Sequence, residues 1–179
     1  MDFFLKENNN FTPFTLQHAI VALFCICFGF ALIVITKKQT NKVQSIIGNV
    51  FAFSICFTVL LGTFVHIYKG NFNIQEDLPL HLCSFLALII PVLSVTKKFV
   101  YYEIFFFLIL AGTLQSLITP DEHNYLNFPF FRYWFVHAGL VVFMFFATFI
   151  YKMRPTLRSV GKSFLGMQAY MLFMFILNY

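Results

Sequence analysis

Long apolar runs, separated by short polar segments, recur along nearly the whole chain of 179 residues. A helix needs about 20 consecutive apolar residues to cross the hydrocarbon core of a bilayer. The runs predict six transmembrane helices, at residues 15–35, 43–68, 78–95, 99–118, 128–151 and 160–179. The period-two alternation of a membrane β-barrel is absent from these runs, and helices satisfy their backbone polar groups within one segment. We therefore predict an all-α polytopic membrane bundle that forms one domain over residues 1–179.

Basic residues are concentrated in alternate loops. The loops after the first, third and fifth runs hold nine of the twelve Lys and Arg residues: Lys37, Lys38, Lys42, Lys97, Lys98, Lys152, Arg154, Arg158 and Lys162. Cytoplasmic loops carry such an excess, so we predict a multi-pass protein of the cell membrane with its N-terminus outside. This topology explains the formal net charge of +5, and we expect no nucleic-acid partner. The polar, acidic start of the chain predicts no cleavable signal peptide.

Polar side chains inside the predicted helices are concentrated near one surface. They lie where the first, third and fifth helices begin and where the second and fourth end: His18, His66, His81, Cys83, Gln115, Ser116, Arg132, Tyr133 and His137. Because successive helices run in opposite directions, all of these positions are near the outer surface. Ionisable groups at membrane depth are costly and usually face an interior cavity. We predict that these residues form one site.

Cys83 and His137 have the chemistry of a nucleophile and a general base. Cys83 lies roughly 7 Å inside the predicted third helix, where the positive end of the helix dipole favours a thiolate. His137 lies about 10–13 Å inside the fifth helix, at a similar depth, and catalytic partners need to be adjacent only in space. His81 faces a different direction from Cys83, and it is a candidate to bind substrate or an oxyanion.

Spacing alone leaves other interpretations open. The Cys and His residues could simply pack helices together, or Cys83 could sense oxidants. A zinc site built from His66, His81, Cys83 and His137 is a further alternative, although it has no ligand pair at i,i+4 spacing. We predict no metal ion and no cofactor.

Four segments of the chain resemble those of a known family. They are "FTPFTLQH" (11–18), "LPLHLCS" (78–84), "GTLQSLITPD" (112–121) and "FPFFRYWFVHAGL" (128–140). The order of these motifs is similar to that in the YwaF-type integral membrane proteins, bacterial relatives of transmembrane protein 164. The resemblance implies a lipid acyltransferase whose Cys nucleophile falls on Cys83 and whose partner His falls on His137. A more distant relative hydrolyses fatty acid esters with a Thr–His pair, so the resemblance also leaves lipid ester hydrolysis open.

The resemblance implies a phospholipid or lysophospholipid substrate in the outer leaflet. In this hypothesis His137 takes the thiol proton of Cys83, and Gln115, His81 or Tyr133 donates to the oxyanion. Arg132 would hold the phosphate, and His66 and His18 would complete the substrate-binding residues.

YwaF-type proteins generally continue past an "NY" pair in the sixth span, so we expect this chain to be shortened at its C-terminus. A rival interpretation is a small-molecule-binding subunit of a membrane transporter, since a compact six-helix protein with an outward-facing polar pocket fits that class equally well. Dependence on Cys83 distinguishes the two interpretations. The oligomeric state is left open.

Overall fold

The computed structural model describes residues 9–70, 73, 78–120, 123–124 and 127–178. These residues form six helices: α1 (Leu16–Lys37), α2 (Asn41–Tyr68), α3 (Leu82–Thr96), α4 (Phe99–Ile118), α5 (Phe128–Phe149) and α6 (Leu157–Asn178). α4 contains a π-helical turn at Ile109–Thr113. Two short strands, β1 (Asn9–Phe11) and β2 (His123–Asn124), pair antiparallel beside the start of α1. The predicted all-α polytopic bundle is confirmed.

Five of the helices found in the described residues are long and apolar enough to cross a membrane. The exception is α3, whose 15 residues span about 22 Å, less than the roughly 30 Å of a hydrocarbon core. The sequence placed the start of this segment at residue 78, whereas the helix begins at Leu82. Pro79 keeps Leu78 out of the helix, because proline disfavours a helical conformation in the residue before it. Residues 78–81 instead form a turn in which the Leu80 N–H donates to the Leu78 carbonyl at 2.7 Å.

The core of the bundle lies between α2, α3, α4 and α5. α5 is the central helix, since it packs against the other three and also against α1, and most of its side chains beyond residue 135 are buried. Ile55, Ile90, Leu140 and Met144 are among the fully buried apolar residues. α1 packs mainly on α5 and α6 mainly on α4, and the outward faces of both helices are apolar, as lipid-facing helices require.

The alternating direction of the helices gives the bundle two chemically different ends. At the basic end, α1, α3 and α5 terminate and α2, α4 and α6 begin, so this end carries the nine Lys and Arg residues named above. The opposite end, which we call the cavity end, carries the first turns of α1, α3 and α5 and the last turns of α2, α4 and α6. The outside location of the N-terminus stays a prediction.

Polar contacts fasten α6 to the rest of the bundle at both ends. Near the basic end the buried Glu103 carboxylate pairs with Lys162 and accepts a hydrogen bond from Ser159 Oγ at 3.1 Å. At the cavity end the Tyr170 hydroxyl donates to the Leu80 carbonyl at 2.7 Å. The second contact ties α6 to the turn that immediately precedes α3.

Candidate functional site

A cavity of about 380 Å³ opens at the cavity end, between α2, α3, α4 and α5. Its volume is within the range of small-molecule sites, roughly 300–1,000 Å³. Six of the nine polar residues predicted to form one site line it: His81, Cys83, Ser116, Arg132, Tyr133 and His137. The structure therefore places the candidate nucleophile and the candidate base in the wall of one cavity, although they are on different helices.

Cys83 is the second residue of α3. The first helical hydrogen bond of α3 joins the Phe85 N–H to the His81 carbonyl at 2.8 Å, so the N–H groups of residues 82–84 have no partner inside the helix. The His81 side chain makes no capping hydrogen bond to them. The half-buried Cys83 thiol thus lies in the first turn of the helix, nearer its positive end than the sequence predicted.

Two hydroxyl-bearing residues of α4 approach Cys83 from the other side. Thr113, the last residue of the π-helical turn, is fully buried, and its Oγ1 lies 3.6 Å from the Cys83 Sγ. Ser116 lines the cavity one turn later. Sequence reasoning noted the position of Ser116 but missed Thr113 as a site residue, although their i,i+3 spacing places both on one helix face.

His137 is held in one tautomer by its own helix. Its Nδ1 lies 2.8 Å from the Tyr133 carbonyl oxygen, and a carbonyl can only accept, so Nδ1 carries the proton. In the neutral ring Nε2 is then the acceptor. The Tyr133 ring, 4.2 Å away between centroids, packs against the imidazole and fixes its plane. Nε2 is therefore the nitrogen with a lone pair for a general base.

Tyr133 also connects α5 to α4. Its hydroxyl donates to the Ser116 carbonyl at 2.6 Å, so this proton is already committed to the protein backbone. The predicted role of Tyr133 as an oxyanion donor gains no support from this geometry. Its observed contacts orient His137 and brace the end of α4.

Arg132 contributes a positive charge to the cavity wall. Its side chain lies across Gly62 of α2, where an added Cβ would be only 2.3 Å from Nη1. The absence of a side chain at position 62 therefore creates the space that the guanidinium occupies. A planar guanidinium in a partly buried wall is suited to bind a phosphate or a carboxylate.

Three predicted site residues lie outside the cavity wall. His18 is buried, its Nδ1 accepting from the Phe14 N–H at 3.0 Å and its Nε2 donating to the Leu117 carbonyl at 2.9 Å. These bonds give His18 a structural position between the start of α1 and the end of α4. His66 is exposed at the end of α2, and Gln115 is exposed on α4, where its amide donates to Thr119 at 3.0 Å.

Among the residues that the structure describes, no three His, Cys, Asp or Glu side chains come close enough to hold a metal ion. The zinc alternative, which required His66, His81, Cys83 and His137 together, therefore has no support in the geometry. His66 is the residue that departs most plainly, since it is exposed at the end of α2 and is not part of the cavity wall.

The fold and the cavity define a multi-pass membrane protein with a polar pocket at one end of its bundle. The model of the TMEM164 family matches residues 13–179, and the chain belongs to this family. The resemblance found in the motifs is thus confirmed, and the matched range contains every residue that lines the cavity. No curated protein and no solved structure matches the chain.

Proposed function

We propose that this protein is a membrane-embedded lipid acyltransferase that uses Cys83 as nucleophile and His137 as general base. The observation that supports this proposal most directly is that the two side chains line one cavity. Support also comes from the position of Cys83 at the positive end of α3 and from the tautomer of His137, whose Nε2 accepts protons. Thiolate activation at a helix N-terminus beside a His is a recurring arrangement in acyl transfer.

In the first half of the proposed reaction, Nε2 of His137 takes the thiol proton and Sγ of Cys83 attacks the carbonyl carbon of a lipid acyl ester. The oxyanion that forms accepts hydrogen bonds from backbone N–H groups in the first turn of α3, helped by His81. Collapse of this intermediate breaks the bond to the lipid alcohol, which leaves with the proton from His137. The acyl group remains on Cys83 as a thioester.

In the second half, His137 removes a proton from the hydroxyl group of an acceptor. The acceptor oxygen attacks the thioester, the thiolate of Cys83 leaves, and the acyl group is transferred as a new ester. A lysophospholipid acceptor makes the protein an acyltransferase, whereas water would make it a lipid ester hydrolase. Arg132 is the group in the cavity wall best suited to bind the phosphate of a phospholipid.

The apolar part of the cavity wall can contact the first carbons of the acyl chain. Val59, Leu82 and Val136 line the same cavity as the polar groups. An ester carbonyl at Cys83 would have its chain against these residues and its headgroup towards Arg132 and His81. Of the residues predicted to bind substrate, this arrangement uses His81 and Arg132 directly and Tyr133 through His137, and it does not use His18, His66 or Gln115.

Intact mass spectrometry tests the proposal. The purified protein is incubated with mixed phospholipids, and we expect a fatty-acyl mass increment that is absent from Cys83→Ala. His137→Asn keeps a donor near the position of Nδ1 and removes Nε2, so it should strongly reduce the increment in a folded protein. Cys56→Ala is the matched control, because Cys56 contacts the Leu88 carbonyl on α3 and does not line the cavity.

Analysis of the lipid products separates transfer from hydrolysis. A new acylated phospholipid indicates transfer, whereas free fatty acid indicates that water is the acceptor. An unmodified wild-type protein and an unchanged lipid extract would contradict both reactions. If Cys83→Ala then retained full affinity for a co-purified small molecule, the binding subunit of a transporter would become the better interpretation.

A further inference from the structure

We propose that Thr113 is the hydrogen-bond donor that stabilises the Cys83 thiolate, a role that rests on the proposed function of Cys83 as nucleophile. The Thr113 Oγ1 lies 3.6 Å from the Cys83 Sγ, within hydrogen-bonding reach of sulfur. The two residues are on different helices, α4 and α3. This contact directly joins the thiol to the helix that faces it.

The direction of the Thr113 hydroxyl differs from that of four other helical threonines in this protein. Thr58, Thr63, Thr96 and Thr148 each donate to the carbonyl four residues earlier in their own helix. That local bond is the usual one for a threonine inside a helix. The Thr113 hydroxyl instead contacts the thiol of a neighbouring helix.

The π-helical turn at Ile109–Thr113 gives a structural reason for this direction. Such a turn departs from the i→i−4 hydrogen-bond pattern of an α-helix and is frequent at functional sites. The turn faces α3, since a Cβ added at Gly112 would lie at van der Waals distance, 3.4 Å, from Leu82 Cδ2. The turn therefore brings the Thr113 hydroxyl to Cys83.

Burial makes the contact chemically significant. Thr113 is fully buried, and a buried hydroxyl without a partner is unfavourable. A thiolate can only accept, so ionised Cys83 makes Thr113 the donor. Hydrogen bonds to an ionised group are stronger than those between neutral groups, and the contact therefore favours the thiolate over the thiol.

The proposed role complements that of His137. Nε2 of His137 accepts the thiol proton, and the Thr113 hydroxyl stabilises the charge that remains on sulfur. A thioester sulfur is a weak acceptor, so the hydrogen bond weakens once Cys83 is acylated. The same bond re-forms when the thiolate leaves, and Thr113 thereby assists both halves of the transfer.

Alkylation of Cys83 tests this role without requiring acyl transfer. The full chain with Cys83 as its only cysteine (Cys25→Ala, Cys27→Ala, Cys56→Ala) is treated with iodoacetamide across a pH series, and alkylation is followed by intact mass. Thr113→Val should slow alkylation about tenfold near neutral pH and shift the midpoint of the pH profile up by about one unit. The plateau rate at high pH should change little.

Rescue and control variants separate this role from packing. Thr113→Ser retains a hydroxyl and should keep the wild-type pH profile. Thr58→Val makes the same isosteric change at a hydroxyl that bonds within α2, and it should leave the profile unchanged. Thr113→Ala should slow alkylation and shift the pH profile in the same way as Thr113→Val. It replaces the valine variant in the test if that variant does not fold.

A wild-type pH profile in a folded Thr113→Val or Thr113→Ala protein would overturn the proposal. So would a Thr113→Ser protein that reacts as slowly as the valine variant. Failure of the proposed function gives a different pattern, in which Cys83 acquires no acyl group while its alkylation still depends on Thr113.

Discussion

At the basic end of the bundle, two sets of buried polar side chains bond among themselves. Glu103 pairs with Lys162 and accepts from Ser159, and the Tyr102 and Thr148 hydroxyls lie 2.8 Å apart. At the cavity end, by contrast, polar side chains surround an open volume of about 380 Å³. Both ends belong to the same six helices. The polar groups at the basic end hold helices together, whereas those at the cavity end line a candidate binding site.

The difference follows from how a membrane protein treats polar groups. Inside a bilayer, a polar group that finds no partner is strongly unfavourable. Groups that fasten helices therefore occur in mutually satisfied sets, as around Glu103. Groups that line a cavity border a volume that a ligand or water can enter. The ends can thus be altered separately, and substitutions at one end should leave the other intact.

The largest loss of stability is expected from Lys162→Ala. It leaves the Glu103 carboxylate, whose side chain is only 5% exposed, without its cation, and a carboxylate that loses its partner in this way destabilises the fold. Thermal unfolding in detergent measures the loss. Glu103→Gln, which can still accept from Ser159, should lose less. If Lys162→Ala unfolds at the same temperature as wild type, the cluster around Glu103 does not stabilise the packing of α6.

Substitution of alanine for two glycines of α2, Gly48 near the basic end and Gly62 near the cavity end, compares the two ends directly. A Cβ at Gly48 would lie 2.1 Å from the Tyr151 hydroxyl and 2.9 Å from the Phe146 ring, and overpacking against such rings costs about 1–3 kcal/mol. A Cβ at Gly62 would meet Nη1, Cζ and Cδ of Arg132, a flexible side chain that can move aside. Gly48→Ala should therefore lower the melting temperature more than Gly62→Ala does.

Gly62→Ala should instead affect the cavity. Displacement of the Arg132 guanidinium predicts a lower yield of the fatty-acyl adduct from phospholipids. Gly161→Ala is the control, since nothing lies within 4 Å of a Cβ added there. Equal melting temperatures for Gly48→Ala and Gly62→Ala, or an unchanged adduct in Gly62→Ala, would contradict the comparison.

A smaller effect is expected from Tyr170→Phe at the cavity end. It removes the hydrogen bond to the Leu80 carbonyl, which contributes about 1 kcal/mol, and it loosens the turn before Cys83. Thermal unfolding should show a modest decrease, and Cys83 alkylation should become faster as the turn opens. Tyr68→Phe alters a tyrosine that is 79% exposed and should change neither measurement; a change of similar size there would argue against a specific role for Tyr170.

The smallest effect is expected from Gln115→Ala. Gln115 is exposed and bonds to Thr119 on its own helix, so the substitution should change stability by less than about 0.5 kcal/mol. The acyl-adduct yield should equal that of wild type. A clear loss of adduct would support Gln115 as an oxyanion donor and would mean that its side chain reaches the cavity.

The boundary of α3 shows where prediction from sequence was limited. Hydropathy located this helix to within four residues, but the turn at residues 78–81 moved its start from 78 to Leu82. That difference places Cys83 in the first turn of the helix. Hydropathy reports which residues prefer lipid, and it does not resolve where hydrogen bonding begins.

The direction that each side chain faces was a second feature that the sequence did not predict. Depth along the helices groups the polar residues at one end, but His18, His66 and Gln115 are not part of the cavity wall that His137 lines. In helices that are apolar on nearly all sides, the sequence pattern does not identify the inward face. That face depends on which neighbouring helices pack against it.

The sequence by itself determined the class of protein, the number of helices and the end of the bundle that carries Cys83 and His137. It could do so because bilayer thickness sets the length of an apolar run and because successive spans alternate in direction. Only the tertiary structure decided that Thr113 contacts Cys83, that Arg132 lies over Gly62 and that His18 is structural. These contacts join residues distant in sequence, and they depend on helix rotation, a π-helical turn and close packing, which local composition does not encode.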